Sequence, residues 1–470
     1  MPANPLRNIP SVNELLESPP LKRLVDRISR NTLVATIGKA LDEMRQEVQT
    51  AASERTIPHL ADLAERIARR VLETQGATLR PLVNASGVLL DPRLGEAPLA
   101  EDAIDELAAV ARDYTNLELD LASGQRSRRD PALESLLREL TGAEAALAVN
   151  HHAGAAMLTL AALAGPQAKV REVVVARSQS IETDSYRLPE AIAASGAVLR
   201  EVGTTNKTSV DDYARAIGPQ TAALLAVHVS NFAVVGSASN ASLEELVALG
   251  RRHNVLMIHD LGAGTLVDLA ALGIKTEAIA RRSLQAGADL VLLAGDKLLG
   301  GPQCGIVAGQ RNLIDALERH PLGRALQAGK LTSAALAATL RLYRDLEKAR
   351  LAIPILHLLT TSAENLKNRA ERLAPQIAAA AVVREAEVVA DVTYIEGYAV
   401  PDRQLPTWCI AVRPATGSVE RLARALRMGM PSVIGRQESD QLRLDLRSVL
   451  PRQDLQLVAA IESLEVGEGY

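Results

Sequence analysis

Three observations predict an α/β fold with a mostly parallel central sheet, an N-terminal helical domain and a small C-terminal α/β domain. Short β-branched runs alternate with amphipathic helical stretches from about residue 60 to residue 340, the pattern of βαβ units with helices on both faces of a sheet. The length, 470 residues, is about three times the roughly 150 of a usual domain, so two or three domains are expected. Hydrophobic residues make up 47% and charged residues 23%, which suits packed globular domains and argues against disorder.

In chain order, the first domain spans residues 1–65. Ser11-Val12-Asn13-Glu14 after Pro10 reads as a capping box, because Ser11 can accept from the amide three residues on while Glu14 reaches back. Leu21, Leu24, Val25 and Ile28 then share one helical face, and Val34, Ile37, Leu41, Met44 and Val48 repeat the pattern. Arg23, Arg27 and Arg30 share another face, which is either a solvated face or a docking surface for a phosphate backbone. The second domain spans 66–335, with strands expected at 145–149, 172–176, 198–202, 223–228, 255–260, 289–293 and 305–308. Helices are expected at 133–140, 188–194 and 243–253, and ligands on such a sheet bind at the carboxyl ends of its strands. The third domain spans 336–470. It begins in a long helical passage and continues with strands near 387–394, 408–412 and 441–446 and a helix near 418–428.

Composition excludes several functions. The net charge of −4 rules out a general polyanion-coating protein, so nucleic-acid contact needs a local patch. One Phe, one Trp and seven Tyr cannot supply the stacking platforms of a single-strand binder. Cys304 and Cys409 make neither a disulfide framework nor a cysteine zinc site. The opening residues lack an apolar core, so no signal peptide is expected. The best apolar stretch, 222–235, is interrupted by His228, Ser230 and Asn231 and falls short of the ~18 residues of a membrane span. A cytoplasmic protein without membrane contact is the expectation.

The sharpest chemical feature is Gly295-Asp296-Lys297-Leu298-Leu299-Gly300-Gly301-Pro302-Gln303. A lysine directly after a buried strand sits where low dielectric can lower its pKa and let it form a Schiff base with a carbonyl cofactor. A phosphate-cradling or exposed loop lysine fits the same segment. Asp260 ends the apolar run at 255–260 and precedes Gly262, so it can reach the same cleft; pyridoxal phosphate needs both a lysine and a carboxylate for its ring nitrogen. A magnesium ligand or helix cap is the other reading of such an aspartate. Asn150-His151-His152-Ala153-Gly154 is a strand-to-helix turn that can offer amides to a phosphate, with His151 or His152 stacking on a ring. Adjacent histidines diverge and no further His or Cys lies at ligand spacing, so no metal is expected. His228, after another strand, lines the cleft or is a satisfied core histidine. Arg126, Arg128 and Arg129 follow a Ser-Gly turn and suit an anionic ligand, a partner subunit or a solvated loop.

On these residues the chain resembles the bacterial selenocysteine synthase family, the L-seryl-tRNA(Sec) selenium transferases, over nearly its whole length. The resemblance runs through Leu6-Arg7-Asn8-Ile9-Pro10-Ser11-Val12, Val83-Asn84-Ala85-Ser86-Gly87-Val88, and Tyr114 to Leu121. It continues in Leu140-Thr141-Gly142-Ala143-Glu144, Glu201-Val202-Gly203-Thr204-Thr205-Asn206-Lys207 and Asp260-Leu261-Gly262, and its most specific part is the Lys297 segment. It implies a fold-type I pyridoxal 5'-phosphate enzyme with Lys297 as the cofactor lysine and Asp260 as its ring-nitrogen partner. His151, His152, His228 and Gly154 are then cofactor neighbours, and the N-terminal unit is a tRNA-binding domain. It further implies conversion of seryl-tRNA(Sec) with selenophosphate through an aminoacrylyl intermediate, in a homo-oligomer with shared active sites. The chain departs from the family at Pro92-Arg93-Leu94-Gly95-Glu96-Ala97-Pro98-Leu99, where T-N-L-G-R-A-P-L is usual and Glu96 replaces an arginine. Gln327 replaces a second arginine in Arg324-Ala325-Leu326-Gln327. Arg126-Ser127-Arg128-Arg129 stands for R-G-S-R, and a G-G-G-S run has no counterpart before Leu405-Pro406. Arg126, Arg128 and Arg324 remain as candidates for the anionic donor. A paralogous lyase or transferase on another amine is the alternative, and a silent RNA- or protein-binding relative a third reading.

Overall fold

Strand β1 (Leu82–Ala85), β2 (Val88–Leu90), β3 (Ala145–Val149), β4 (Glu172–Ala176), β5 (Val198–Val202), β6 (Thr221–Val227), β7 (Leu256–Asp260), β8 (Leu290–Ala294), β9 (Gly305–Gly309), β10 (Val383–Glu396), β11 (Gln404–Pro414), β12 (Ser432–Glu438) and β13 (Gln441–Asp445) build two sheets in the computed structural model. The structure describes residues 10–22, 24, 25, 29–50, 63, 64, 66–68, 71, 79–183, 186–270, 278–397 and 403–464, without the side chains of 46–50. Arg23, Arg27, Ile28 and the side chain of Val48 therefore lie outside the described residues, as do Leu6 to Ile9.

The chain divides into two compact units, residues 1–81 and 82–470. In the first, Ser11 and Glu14 form the expected capping box: the Glu14 amide donates to Ser11 Oγ at 3.2 Å, and the Ser11 amide donates to the Glu14 carboxylate at 2.7 Å. Leu15, Leu21, Leu33, Ile37 and Leu41 pack with Leu63, Ile67 and Val71 into one small core. Val25 and Val34, expected on the apolar faces, stay exposed.

In the second unit, the larger sheet runs β3-β9-β8-β7-β6-β4-β5. All its strands are parallel except β9, which pairs antiparallel with both β8 and β3. The pleat sends alternate side chains to opposite faces. Val173, Val175 and Leu225 join the core under helices Pro321–Ala325, Leu188–Ala194 and His152–Ala164, whereas Val174, Leu224 and Ala226 join the core with Tyr213 and Leu246 on the other face. Being covered on both sides is what makes β4 and β6 read as unbroken apolar runs.

The second sheet runs β1-β12-β13-β11-β10-β2. Residues 82–85 and 88–90, within the span 66–335 expected for the large domain, are strands of this sheet. β1 pairs with β12 and β2 with β10, each parallel. Val83 and Ala85 share a core with Ile410, Val433 and Leu444 and with helices Ala363–Ala378 and Asp454–Glu462. No helix of the described residues is long and apolar enough to cross a membrane.

Candidate active site

Strands β3, β6, β7 and β8 end on one side of the sheet, and their carboxyl ends carry the expected residues. Asp260 is the last residue of β7, in register with Val227 of β6, so His228 follows directly beside it and donates its amide to the Asp260 carbonyl at 2.7 Å. The Asp260 carboxylate is 1% exposed. Its Oδ1 accepts the Gly262 amide at 2.9 Å and lies 2.8 Å from His152 Nε2. Burial raises the Asp260 pKa, but His152 and the Gly262 amide outweigh it and hold the carboxyl below its ordinary value. His152 moves the other way: burial lowers it, Asp260 raises it further, and the net direction is upward. The pair is thus an ionised carboxylate against an imidazole inclined to hold its proton.

Lys297 lies on the connection from β8 to β9, which folds back because the two strands are antiparallel. The Gly295 amide donates to the Cys304 carbonyl at 2.9 Å, Gly301 to Gly295 at 2.8 Å and Gly300 to Lys297 at 2.9 Å. Leu298 and Leu299 are fully buried, and the Tyr343 hydroxyl donates to the Leu299 carbonyl at 2.8 Å. Gly300 has φ +70°, and a Cβ there would run into Ile353 and Ile355.

The lysine's partner was not legible in the sequence. Lys297 Nζ donates to Glu396 Oε1 at 2.8 Å, and Arg403 holds the other oxygen of Glu396 at 2.9 Å. An Arg403 nitrogen in turn lies 3.5 Å from His228 Nε2. The expected downward shift of Lys297 is corrected: burial does lower it, but Glu396, with Glu96 and Asp296 behind it, raises it above its ordinary value. Burial lifts Glu396, and Lys297 and Arg403 bring it below the ordinary carboxylate value. Glu96 is pushed up to about 7 by burial and by Glu396, Asp296 and Asp91, against the pull of Lys297.

The donor set fits pyridoxal phosphate. An ionised, buried Asp260 is what a protonated pyridine nitrogen needs. Gly154 lies in the first turn of helix His152–Ala164, where a Cβ would stand 3.0 Å from Asn150 Oδ1 and touch Leu326, and the start of such a helix is where amides can meet a phosphate. His151 caps that helix, accepting the Ala153 amide at 3.1 Å on Nδ1, and its side chain is exposed, whereas His152 reaches Asp260. Tyr186, which no sequence pattern marked, has a buried hydroxyl without a hydrogen-bond partner among the described residues and feels the Asp260 charge. An orphaned phenol beside Asp260 is a ready partner for a polar ring.

The arginines come together with one another, not with Lys297. Arg126 lies 2.7 Å, Arg129 3.0 Å and Arg324 3.0 Å from Glu118, whose pKa falls to about 2 through the bonds from Arg126 and Arg324. Arg128 pairs with Glu318 and lies 3.5 Å from Asp315. Gln327 Oε1 accepts from Arg324 at 3.0 Å and from Arg129 at 3.3 Å. All of these but Asp315 line a cavity of about 320 Å³ whose lining includes neither Lys297 nor Asp260.

Comparison with known proteins follows the same residues. The family model described as L-seryl-tRNA selenium transferase matches residues 82–450, and one described as selenocysteine synthase N terminal matches residues 6–45. An L-seryl-tRNA(Sec) selenium transferase of Moorella thermoacetica is 42% identical over 465 residues, 98% of this chain and 97% of its own. That of Geobacter sulfurreducens is 41% identical over 462 residues, 97% of this chain and 98% of its own. Among solved structures, a D-glucosaminate-6-phosphate ammonia-lyase superposes with a TM-score of 0.59 at 21% identity, over 83% of this chain and 97% of that one.

Proposed function

The chain belongs to the L-seryl-tRNA(Sec) selenium transferase family, the bacterial selenocysteine synthases, and from that premise we propose how its own residues share the work. The enzyme converts seryl-tRNA(Sec) to selenocysteinyl-tRNA(Sec), its fold is that of the fold-type I enzymes, and its cofactor is pyridoxal 5'-phosphate. The observation that supports the residue assignment is that Asp260 ends strand β7 and Lys297 follows the adjacent parallel strand β8 by three residues, with His152 against the first and Glu396 against the second.

Lys297 would hold the aldehyde end of the cofactor, Asp260 the ring nitrogen, and Gly154 with the start of its helix the phosphate. When bound, the cofactor supplies an electron sink that makes the α-proton of the seryl group removable. His152 keeps the Asp260 carboxylate in place through the 2.8 Å contact, and Gly262 fixes the same oxygen. Glu396 and Arg403 set where Lys297 points and how readily it carries a proton. Lys297, once its amine is free, takes the α-proton as general base.

Selenophosphate is the donor in this reading. Arg126, Arg128 and Arg324 line a cavity of about 320 Å³ whose lining does not include Lys297, so they would serve the site of a neighbouring subunit in a homo-oligomer. The N-terminal unit would bind the tRNA, since the body of the chain is net acidic and poor in aromatics. A cytoplasmic location follows from the aminoacyl-tRNA substrate. The experiment for the residue assignment is borohydride reduction of the cofactor-loaded protein followed by peptide mapping. Cofactor fixed on Lys297 is expected. Label on another lysine, or a protein that takes up no cofactor, overturns it.

A further inference from the structure

Glu96 combines three features that no other carboxylate around Lys297 shares. Its backbone takes φ +60°, a left-handed conformation uncommon for a residue with a side chain. Its Oε2 is buried and has no hydrogen-bond partner among the described residues. Its position is pinned at the lysine loop, because the Glu96 amide donates to the Asp91 carbonyl at 3.2 Å and the next amide, of Ala97, donates to the Asp296 carbonyl at 3.1 Å. A left-handed residue whose carboxyl keeps one buried oxygen without a partner is costly for folding alone, and such features collect where a site has work for them.

The charges facing Glu96 decide its state. From its own loop comes Asp91, which is engaged by Arg93 at 2.7 Å. From the β8–β9 loop come Asp296 and Lys297, and from the end of β10 comes Glu396, held by Lys297 and by Arg403, with His228 behind Arg403. Three carboxylates face it against one ammonium, and burial adds to them, so Glu96 titrates at about 7. Asp260 and Glu396 stay ionised, each locked to a basic partner. Burial raises Asp296 as well, and Glu96, pushed up to about 7, is the carboxyl facing Lys297 that exchanges a proton near neutral pH.

A proton at the leaving oxygen assists the reaction, and in this chain Glu96 stands, in place of the family's usual arginine, where it can supply one. A β-hydroxyl leaves poorly as hydroxide and readily as water. Resting on the seryl-tRNA reading above, we infer that Glu96 is the acid that protonates the departing β-hydroxyl of the seryl group. The Cβ–O bond breaks, the oxygen keeps its electron pair, takes the Glu96 proton and leaves as water. The pair freed by loss of the α-proton to Lys297 becomes the Cα=Cβ bond. Glu96 is left a carboxylate facing the Lys297 ammonium, which can return the proton for the next cycle.

The test compares two leaving groups in the full-length, cofactor-loaded protein. Seryl-tRNA(Sec) needs a proton at the leaving oxygen, whereas β-chloroalanyl-tRNA(Sec) expels chloride without one. Glu96→Gln should slow selenocysteinyl-tRNA formation from the seryl substrate by ~100-fold or more, as for loss of a general acid. The same variant should stay close to wild type on the chloro substrate. Glu96→Gly, which suits the left-handed backbone, guards against a folding defect and should show the same split. An infrared difference spectrum of the protein without substrate should show a carboxylic C=O band titrating near 7 that Glu96→Gln lacks. Equal loss on both substrates, no loss on either, or no such band overturns the role of Glu96 while leaving the seryl-tRNA reading intact. A wild type that converts neither substrate overturns both.

Discussion

Glu396 holds the proton on Lys297, and removing its charge shows what the contact does. In Glu396→Gln the lysine keeps the burial that lowers its pKa and loses the carboxylate that raises it most among its neighbours. Its pKa should fall, so more of the amine is unprotonated at a given pH and uptake of the cofactor aldehyde should persist to lower pH than in wild type. A stopped-flow pH profile of cofactor binding checks this; an unchanged profile would show that Glu396 does not govern the lysine. The motif around Lys297 and the strand-end Asp260 were legible because glycines and an apolar run flank them. Glu396, Arg403 and Tyr186 were not, because a single charged or phenolic residue carries no local pattern, and Glu396 meets Lys297 from 99 residues away. The direction of the Lys297 shift was misread for the same reason: burial is legible in a sequence, and the counter-charge is not.

At the level of elements, the loop between β8 and β9 depends on Gly300. Gly300→Ala places a Cβ against Ile353 and Ile355 on a backbone with φ +70°, a strain of about 1–3 kcal/mol. Thermal unfolding should shift down and cofactor affinity should drop, because Leu298 and Leu299 can no longer seat Lys297; calorimetry and a cofactor titration measure the two. A variant with wild-type unfolding and affinity would remove the loop from the account. Strands of the larger sheet were legible to within two residues at each end, since parallel strands covered on both faces are unbroken apolar runs. Strands β1, β2 and β12 were not assigned. They are short or polar, and β1 finds its partner about 350 residues later, at Ser432 to Gly435. The antiparallel setting of β9 also has no sequence signal beyond the short Gly-rich connection before it.

Across the whole molecule, a core built almost without aromatics still closes two sheets, because Ala, Val, Leu and Ile fill both faces of the larger one. That sheet positions Asp260 and Lys297, while Glu396 and Arg403 come from β10 and the residue before β11 in the second sheet, so the site needs both sheets of the second unit. Lys297 is where the account converges. Its most direct test is the yield of selenocysteinyl-tRNA from seryl-tRNA(Sec) and selenophosphate, measured side by side for the full-length protein and for Lys297→Ala. Conversion by the first and none by the second is expected. No conversion by the wild type, or conversion undiminished in Lys297→Ala, would contradict it.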